Sequence, residues 1–293
     1  MHKTFSVACA RSFLLLILSL TCTTGFALET MTWVSGVGAD TNSCAREAPC
    51  KTFGGALLNT MDQGEINAMD SGEFDVTNYN DPTTATPLLI SKSVSIDGGS
   101  LNIATMGPLN SINLDAITID AGSNAHVILR NLVLNGLSGS NRIGIRILSA
   151  RSVRIENVKV NSYWQSCIEI QSSTPLNVEL MNVDLTGCAN GLDVSGSNVN
   201  VSMDESSLTN NGNGIRATGS GVVVKYSDLT QDNLIETSAL SGAVIGTSWF
   251  AFGELFTINT AQIPTLSEWA MFCLVSLMGW GAFARLRRRL NNN

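Results

Sequence analysis

The sequence predicts an all-β fold, a single-stranded parallel β-helix (solenoid) closed at its N-terminal end by a short helix. Two apolar ladders and a composition rich in strand and turn formers predict it. Within residues 127–229 one ladder runs Leu129, Ile155, Leu180, Met203, Val224, with a companion Leu134, Val160, Leu185, Leu208, Leu229, both at intervals of 26, 25, 23 and 21 residues. A second runs Ile145, Ile168, Leu192, Ile215, Ile235 at intervals of 23, 24, 23 and 20. Each period holds two short strand-like segments separated by Gly, Ser and Asn. Self-similarity at this length marks stacked units, none of which buries its apolar face alone. With 26 Gly, 6 Pro and abundant Val, Ile and Leu, the chain favours strands joined by tight turns.

The earlier part of the chain is less regular. Val94-Ser95-Ile96 and Ile117-Thr118-Ile119 repeat at 23 residues and read as early turns of the same stack. Residues 78–87, rich in Asp, Thr, Asn and Pro, read as a loop insertion. Residues 51–58 read as one short amphipathic helix, a natural lid for the first turn, whose core end and strand edges are otherwise open. Trp249, Phe250, Phe252 and Phe256 are expected to cap the opposite end, where the next turn is missing.

Charge narrows the function classes. Between Leu28 and Gln262 there are 11 Lys and Arg against 23 Asp and Glu, a balance of −12. Such a domain is unsuited to binding phosphate backbones, which requires cationic side chains to replace condensed counterions, so no nucleic-acid partner is expected.

The two ends read as addresses. His2, Lys3 and Arg11 precede an apolar run, Phe13 to Leu20, too short to span a bilayer, and Gly25 and Ala27 supply small residues for cleavage. Residues 1–27 are therefore expected to be a signal peptide handled by the secretion machinery, followed by an N-terminal cap at 28–64, the β-helix at 65–262 and a tail at 263–293. In that tail Ile263, Pro264, Thr265, Leu266, Ser267, Glu268 and Trp269 lead into an apolar stretch and then Arg285, Arg287, Arg288 and Arg289. Residues 263–284 are long enough to cross a bilayer as a helix, which needs about 20 residues, and the arginines then hold the C-terminus in the cytoplasm. This order of motif, span and arginines resembles the IPTL-type C-terminal sorting domain (IPTL-CTERM) of exported Gram-negative proteins. The resemblance implies an exosortase-like processing enzyme as partner, with the product anchored in the envelope, sorted to the cell surface or released. It says nothing of activity.

Residues 33–53, Trp33-Val34-Ser35-Gly36-Val37-Gly38 through Cys44 and Cys50 to Phe53, resemble the opening segment of bacterial secreted right-handed β-helix proteins of the pectate-lyase-like superfamily. The likeness continues more loosely to about Phe256 and implies a right-handed coil. Independently of it, Cys44 and Cys50 lie six apart in a chain bound for an oxidising compartment, which points to a disulfide-closed loop. Cys167 and Cys188 fall on adjacent turns but offset by about three residues. They bridge if the turn brings them together, and otherwise are two small buried thiols. Cys9, Cys22 and Cys273 fall in the leader or the tail span. With His126 the single histidine of the exported part and no CxxC or HxxxH spacing, no Cys/His metal site is expected.

Asn131, Asn157 and Asn182 occupy one place in three successive turns and are expected to form an internal asparagine ladder, hydrogen-bonded along the column. Tyr163 and Trp164 could stack on a sugar or simply pack. The residues following the second ladder, Arg146, Glu169, Asp193, Arg216 and Glu236, point outward because side chains alternate along a strand. Glu169 and Asp193 would stand roughly 5 Å apart on adjacent turns. Two such carboxylates could serve as acid and nucleophile in glycoside hydrolysis, or hold Ca²⁺ for elimination beside an arginine. The plainer reading is a solvated ladder whose mixed signs avoid repulsion.

The polysaccharide hydrolases of the pectate-lyase-like superfamily carry NTD, DD, GHG and RIK motifs, none of which occurs here. The expected function is therefore a non-catalytic structural or binding role at the cell surface, with a polysaccharide or surface protein as ligand and no cofactor. The alternative is a polysaccharide lyase or glycoside hydrolase, for which Ca²⁺ could be a cofactor.

Overall fold

The computed structural model describes residues 28–70, 72–73, 87–99, 104–106, 114–136 and 142–247. The leader, most of the 78–87 loop, the aromatic group from Trp249 and the tail lie outside the described residues. The described chain is a parallel β-solenoid in which every pairing between named strands is parallel. Its strands form two sheets, one of 14 and one of seven strands.

A typical turn enters the larger sheet with Ser152–Asn161, crosses to the smaller sheet with Ser166–Ser172, and returns one level on with Leu176–Thr186. The long strands are bent. Asn157 and Asn182 sit in mid-strand at φ 53° and 51°, and Asn131, Glu205 and Asp228 occupy the same corner of neighbouring turns at 57°, 47° and 43°. Asn and Asp tolerate the left-handed region because their short polar side chains hydrogen-bond locally. Each turn thus folds the larger sheet into two faces. Where the chain leaves the smaller sheet, a β-carbon at Gly196 would lie 1.9 Å from Ser172 O and one at Gly219 2.1 Å from Gly196 O, so only glycine lets successive turns stack there.

The ladders become columns of the core. Ile66, Ile96, Leu129, Ile155, Leu180 and Met203 stand in register and are fully buried, as do Ile117, Ile145, Ile168, Leu192 and Ile215. At about 1.5–3 kcal/mol per fully buried aliphatic side chain, these columns are the main favourable term holding the turns together.

In the last turn the register departs from the expected ladders. Val224 pairs with Val201, Leu229 with Ser206 and Ile235 with Asn213, so the residues level with Met203, Leu208 and Ile215 are Tyr226, Gln231 and Thr237. Each ladder slips by two residues, which keeps the face and changes the level. Val94–Asp97 and Ile117–Asp120 are both early strands, but they belong to different sheets.

The lid helix is Phe53–Asn59, begun by Thr52, whose hydroxyl accepts from Gly55 N at 2.9 Å. The cap segment also contributes Glu29–Val34, the first strand of the larger sheet. Its free edge is covered by the Cys44–Cys50 disulfide loop: Trp33 N donates to Cys44 O at 2.8 Å and Ser35 N to Cys50 O at 2.9 Å. Covering the edge removes a template for pairing with another chain. At the opposite end of the described stack Leu234, Ile235, Leu240 and Val244 are exposed.

Candidate functional site

The outward column of the smaller sheet carries the charged constellation. Thr118, Arg146, Glu169, Asp193 and Arg216 are in register on successive strands, and the next member is Ser238; Glu236 stands two residues away. Arg146 Nε donates to Asp115 Oδ2 at 2.6 Å, and its Nη1 lies 3.3 Å from Glu169 Oε1. Gln165 Nε2 donates to Glu169 Oε2 at 2.8 Å. Arg216 grips Asp193 with two bonds, Nε to Oδ1 at 3.1 Å and Nη2 to Oδ2 at 2.5 Å. Arg142 adds a longer approach to Asp115, 3.9 Å.

This is not the solvated ladder expected from alternation. Glu169 and Asp193 keep only 8% and 4% of their surface exposed, as the long arginine side chains lie along the column and cover the shorter acids. Burial pushes the Glu169 carboxyl above its ordinary range, Arg146 opposes the rise, and the neighbouring Asp193 and Asp115 add to it. Arg216 is raised by its hydrogen bonds to Asp193.

Both oxygens of Glu169 and both of Asp193 thus have a cationic or amide donor within 3.3 Å. These contacts fix the orientation of both acids and take one acceptor site of each oxygen. Among the described residues, no group of three or more His, Cys, Asp or Glu side chains is placed to hold a metal ion. Sequence reasoning missed Asp115, Arg142 and Gln165, because they lie in the turns just before their strands, two or three residues ahead of the ladder residues, where alternation does not apply.

It also missed a second cluster, on the larger sheet. Arg154 pairs with Glu156 on its own strand and approaches Glu179, one level on, at 3.4 Å. Glu179 is 5% exposed, and burial raises its carboxyl against the opposing pull of Arg154. The signal was present: Arg154 and Glu179 each precede a residue of the first ladder, Ile155 and Leu180.

Asn157 Nδ2 donates to Asn131 Oδ1 at 2.7 Å, and Asn182 Nδ2 to Asn157 Oδ1 at 3.2 Å. Asn131 in turn donates to Asp97 Oδ1 at 2.7 Å. The column is not internal: Asn131 and Asn157 are half-buried at the bend and Asn182 is exposed. Cys167 and Cys188 are bridged with Cα atoms 5.7 Å apart, because the turn before the smaller sheet folds back over the preceding strand. Tyr163 is fully buried, whereas Trp164 is 48% exposed.

No curated protein and no solved structure matches the chain. The sorting residues Ile263 to Trp269 and the arginines Arg285, Arg287 and Arg288 fall within one family match: the IPTL-CTERM motif matches residues 261–288, and the chain therefore carries a sorting motif that implies export, surface sorting and processing by a sorting system.

Proposed function

We propose that this protein is an exported β-helix, displayed on or released from the cell envelope, with a non-catalytic structural or binding role there. The signal peptide directs it across the inner membrane. The C-terminal apolar segment holds it as a helix with Arg285, Arg287, Arg288 and Arg289 in the cytoplasm until an exosortase-like enzyme acts at the tail. The observation that carries the non-catalytic reading is the pairing of Glu169 and Asp193, whose four carboxylate oxygens each have a donor from Arg146, Gln165 or Arg216. A rigid ladder of this kind supports a surface.

One observation favours the second reading, a polysaccharide lyase or glycoside hydrolase. Glu169 is an acid raised by burial, level with a second carboxylate on the next strand, as an acid and nucleophile pair would be. The deciding experiment presents the full chain with acidic and neutral polysaccharides, with and without Ca²⁺, and records binding and product release together. Binding without release supports the surface role. Release that disappears in Glu169→Gln and Asp193→Asn replaces it with the enzyme.

A further inference from the structure

Successive turns cross from the larger sheet to the smaller one at the same corner, and three of them close that corner at equivalent positions. The register Ile168–Leu192–Ile215 makes Cys167, Gly191 and Gly214 equivalent. The register Ser166–Asn190–Asn213–Ile235 makes Cys188, Asn211 and Asn233 equivalent.

In the two later turns the closure is a side-chain amide. Asn211 Nδ2 donates to Leu185 O at 2.9 Å while its Oδ1 accepts from Cys188 N at 2.9 Å. Asn233 repeats this one level on, donating to Leu208 O at 2.8 Å and accepting from Asn211 N at 3.1 Å. The glycines leave room for the amides: a β-carbon at Gly191 would stand 3.0 Å from Asn211 Nδ2, and one at Gly214 2.6 Å from Asn233 Nδ2. Glycine and asparagine therefore act as a pair, 20 residues apart in one turn and 19 in the next.

In the preceding turn the same pair of positions is Cys167 and Cys188. Their disulfide fills the space that the glycine would have left. Cys167 Sγ lies 3.4 Å from Val160 O, the carbonyl in register with Leu185 O and Leu208 O. Both cysteines are buried, at 0% and 4% exposure.

We propose that the Cys167–Cys188 disulfide is a redox-dependent form of this asparagine latch, so that closure of the stack at this corner waits on oxidation. The two thiols lose two protons and two electrons as the S–S bond forms. A disulfide oxidant, a protein or small molecule that leaves as the dithiol, accepts them. Before that step Asn211 still holds Cys188 N from the next turn, but Cys188 has neither a covalent link nor an amide to the turn that carries Val160, since a thiol is a weak donor and a weak acceptor. In a stack each turn is stabilised by its neighbours, so an unlatched corner weakens the coupling between the turns on either side. Given export, the chain stays below its final stability in the reducing cytosol and is locked outside.

The test is chemical denaturation of the full chain in a Cys44→Ser/Cys50→Ser background, oxidised and reduced, so that only the second disulfide responds. Oxidation is expected to lower the unfolding equilibrium constant about 100-fold or more, from closure of a loop of this length. With Cys44 and Cys50 intact, Cys167→Gly/Cys188→Asn, which rewrites the corner in the form of the next two turns, is expected to regain about 10-fold over Cys167→Ser/Cys188→Ser, on the scale of two hydrogen bonds. It should also be insensitive to reductant at that corner. Equal stability of the oxidised and reduced forms overturns the proposal. So does a Gly/Asn variant no more stable than the Ser/Ser variant, which would make the disulfide an ordinary staple unrelated to the latch. If the Cys44→Ser/Cys50→Ser background does not fold, the comparison of the Gly/Asn and Ser/Ser variants still decides it. The outcome is independent of whether the surface role or the enzyme reading holds.

Discussion

Arg146 is the residue whose removal tests the charged column most directly. Only 13% of its side chain is exposed, and it stands between Asp115 at 2.6 Å and Glu169 at 3.3 Å. Arg146→Ala leaves two acids, 13% and 10% exposed, without this cation and beside Asp193. Breaking a buried pair costs roughly 3–5 kcal/mol, because the remaining charge stays desolvated. The lower end applies, since Arg142 still reaches toward Asp115 at 3.9 Å. About 3 kcal/mol corresponds to a fall of roughly 6–12 °C in melting temperature for a domain of this size. The pH dependence gives an independent reading. Burial already holds Glu169 above its ordinary range, and loss of Arg146 raises it further. A carboxyl whose folded pKa lies above its unfolded value costs stability when ionised, and that cost declines as pH falls through the folded pKa and is gone below the unfolded one. The gap between parent and variant, followed by far-UV circular dichroism melts across a pH series, should therefore narrow on acidification. A loss below about 1 kcal/mol, or a gap that widens in acid, would refute the buried-pair reasoning.

Other expected outcomes follow the same logic. Glu169→Gln removes a group with a raised carboxyl, so the parent should gain stability relative to this variant as pH falls through the folded pKa of Glu169, measured by urea midpoints across the same pH series. Asn157 holds φ 53° and links Asn131 to Asn182, so Asn157→Ala should cost about 2 kcal/mol, from lost hydrogen bonds and left-handed strain. Asn157→Gly should cost about 1 kcal/mol less, and equal losses would show that the conformation is not what matters. Ile155→Ala, in the centre of the first core column, should lower stability by about 2–5 kcal/mol in denaturant titrations. Protein recovered from its native envelope should show by intact mass that Arg285, Arg287, Arg288 and Arg289 are gone; an intact tail on all of it argues against proteolytic sorting.

The amino-acid sequence by itself determined the architecture, because stacking is a one-dimensional problem and its solution is written as a period. Leu129, Ile155 and Leu180 meet in register since identical environments at each level select similar side chains. That logic weakens at the end of the stack, where Thr237 and Gln231 replace apolar residues at the expected levels and the nearest apolar residues, Ile235 and Leu229, lie two places earlier. Parity survives such a slip, because the strand period is two, but level does not.

Tertiary structure alone decided the rest. Alternation shows that Glu169 and Asp193 point outward, yet burial depends on the arginines one level above and below lying over them. Asp115 and Gln165 join the site through turns whose reach no period records. The Cys167–Cys188 bridge and its equivalence to the asparagine corners likewise depend on how each turn folds back across the preceding strand. Periodicity reports what every turn must share; charge pairing, burial and cross-linking depend on what neighbouring turns do differently, which is settled only when they are stacked.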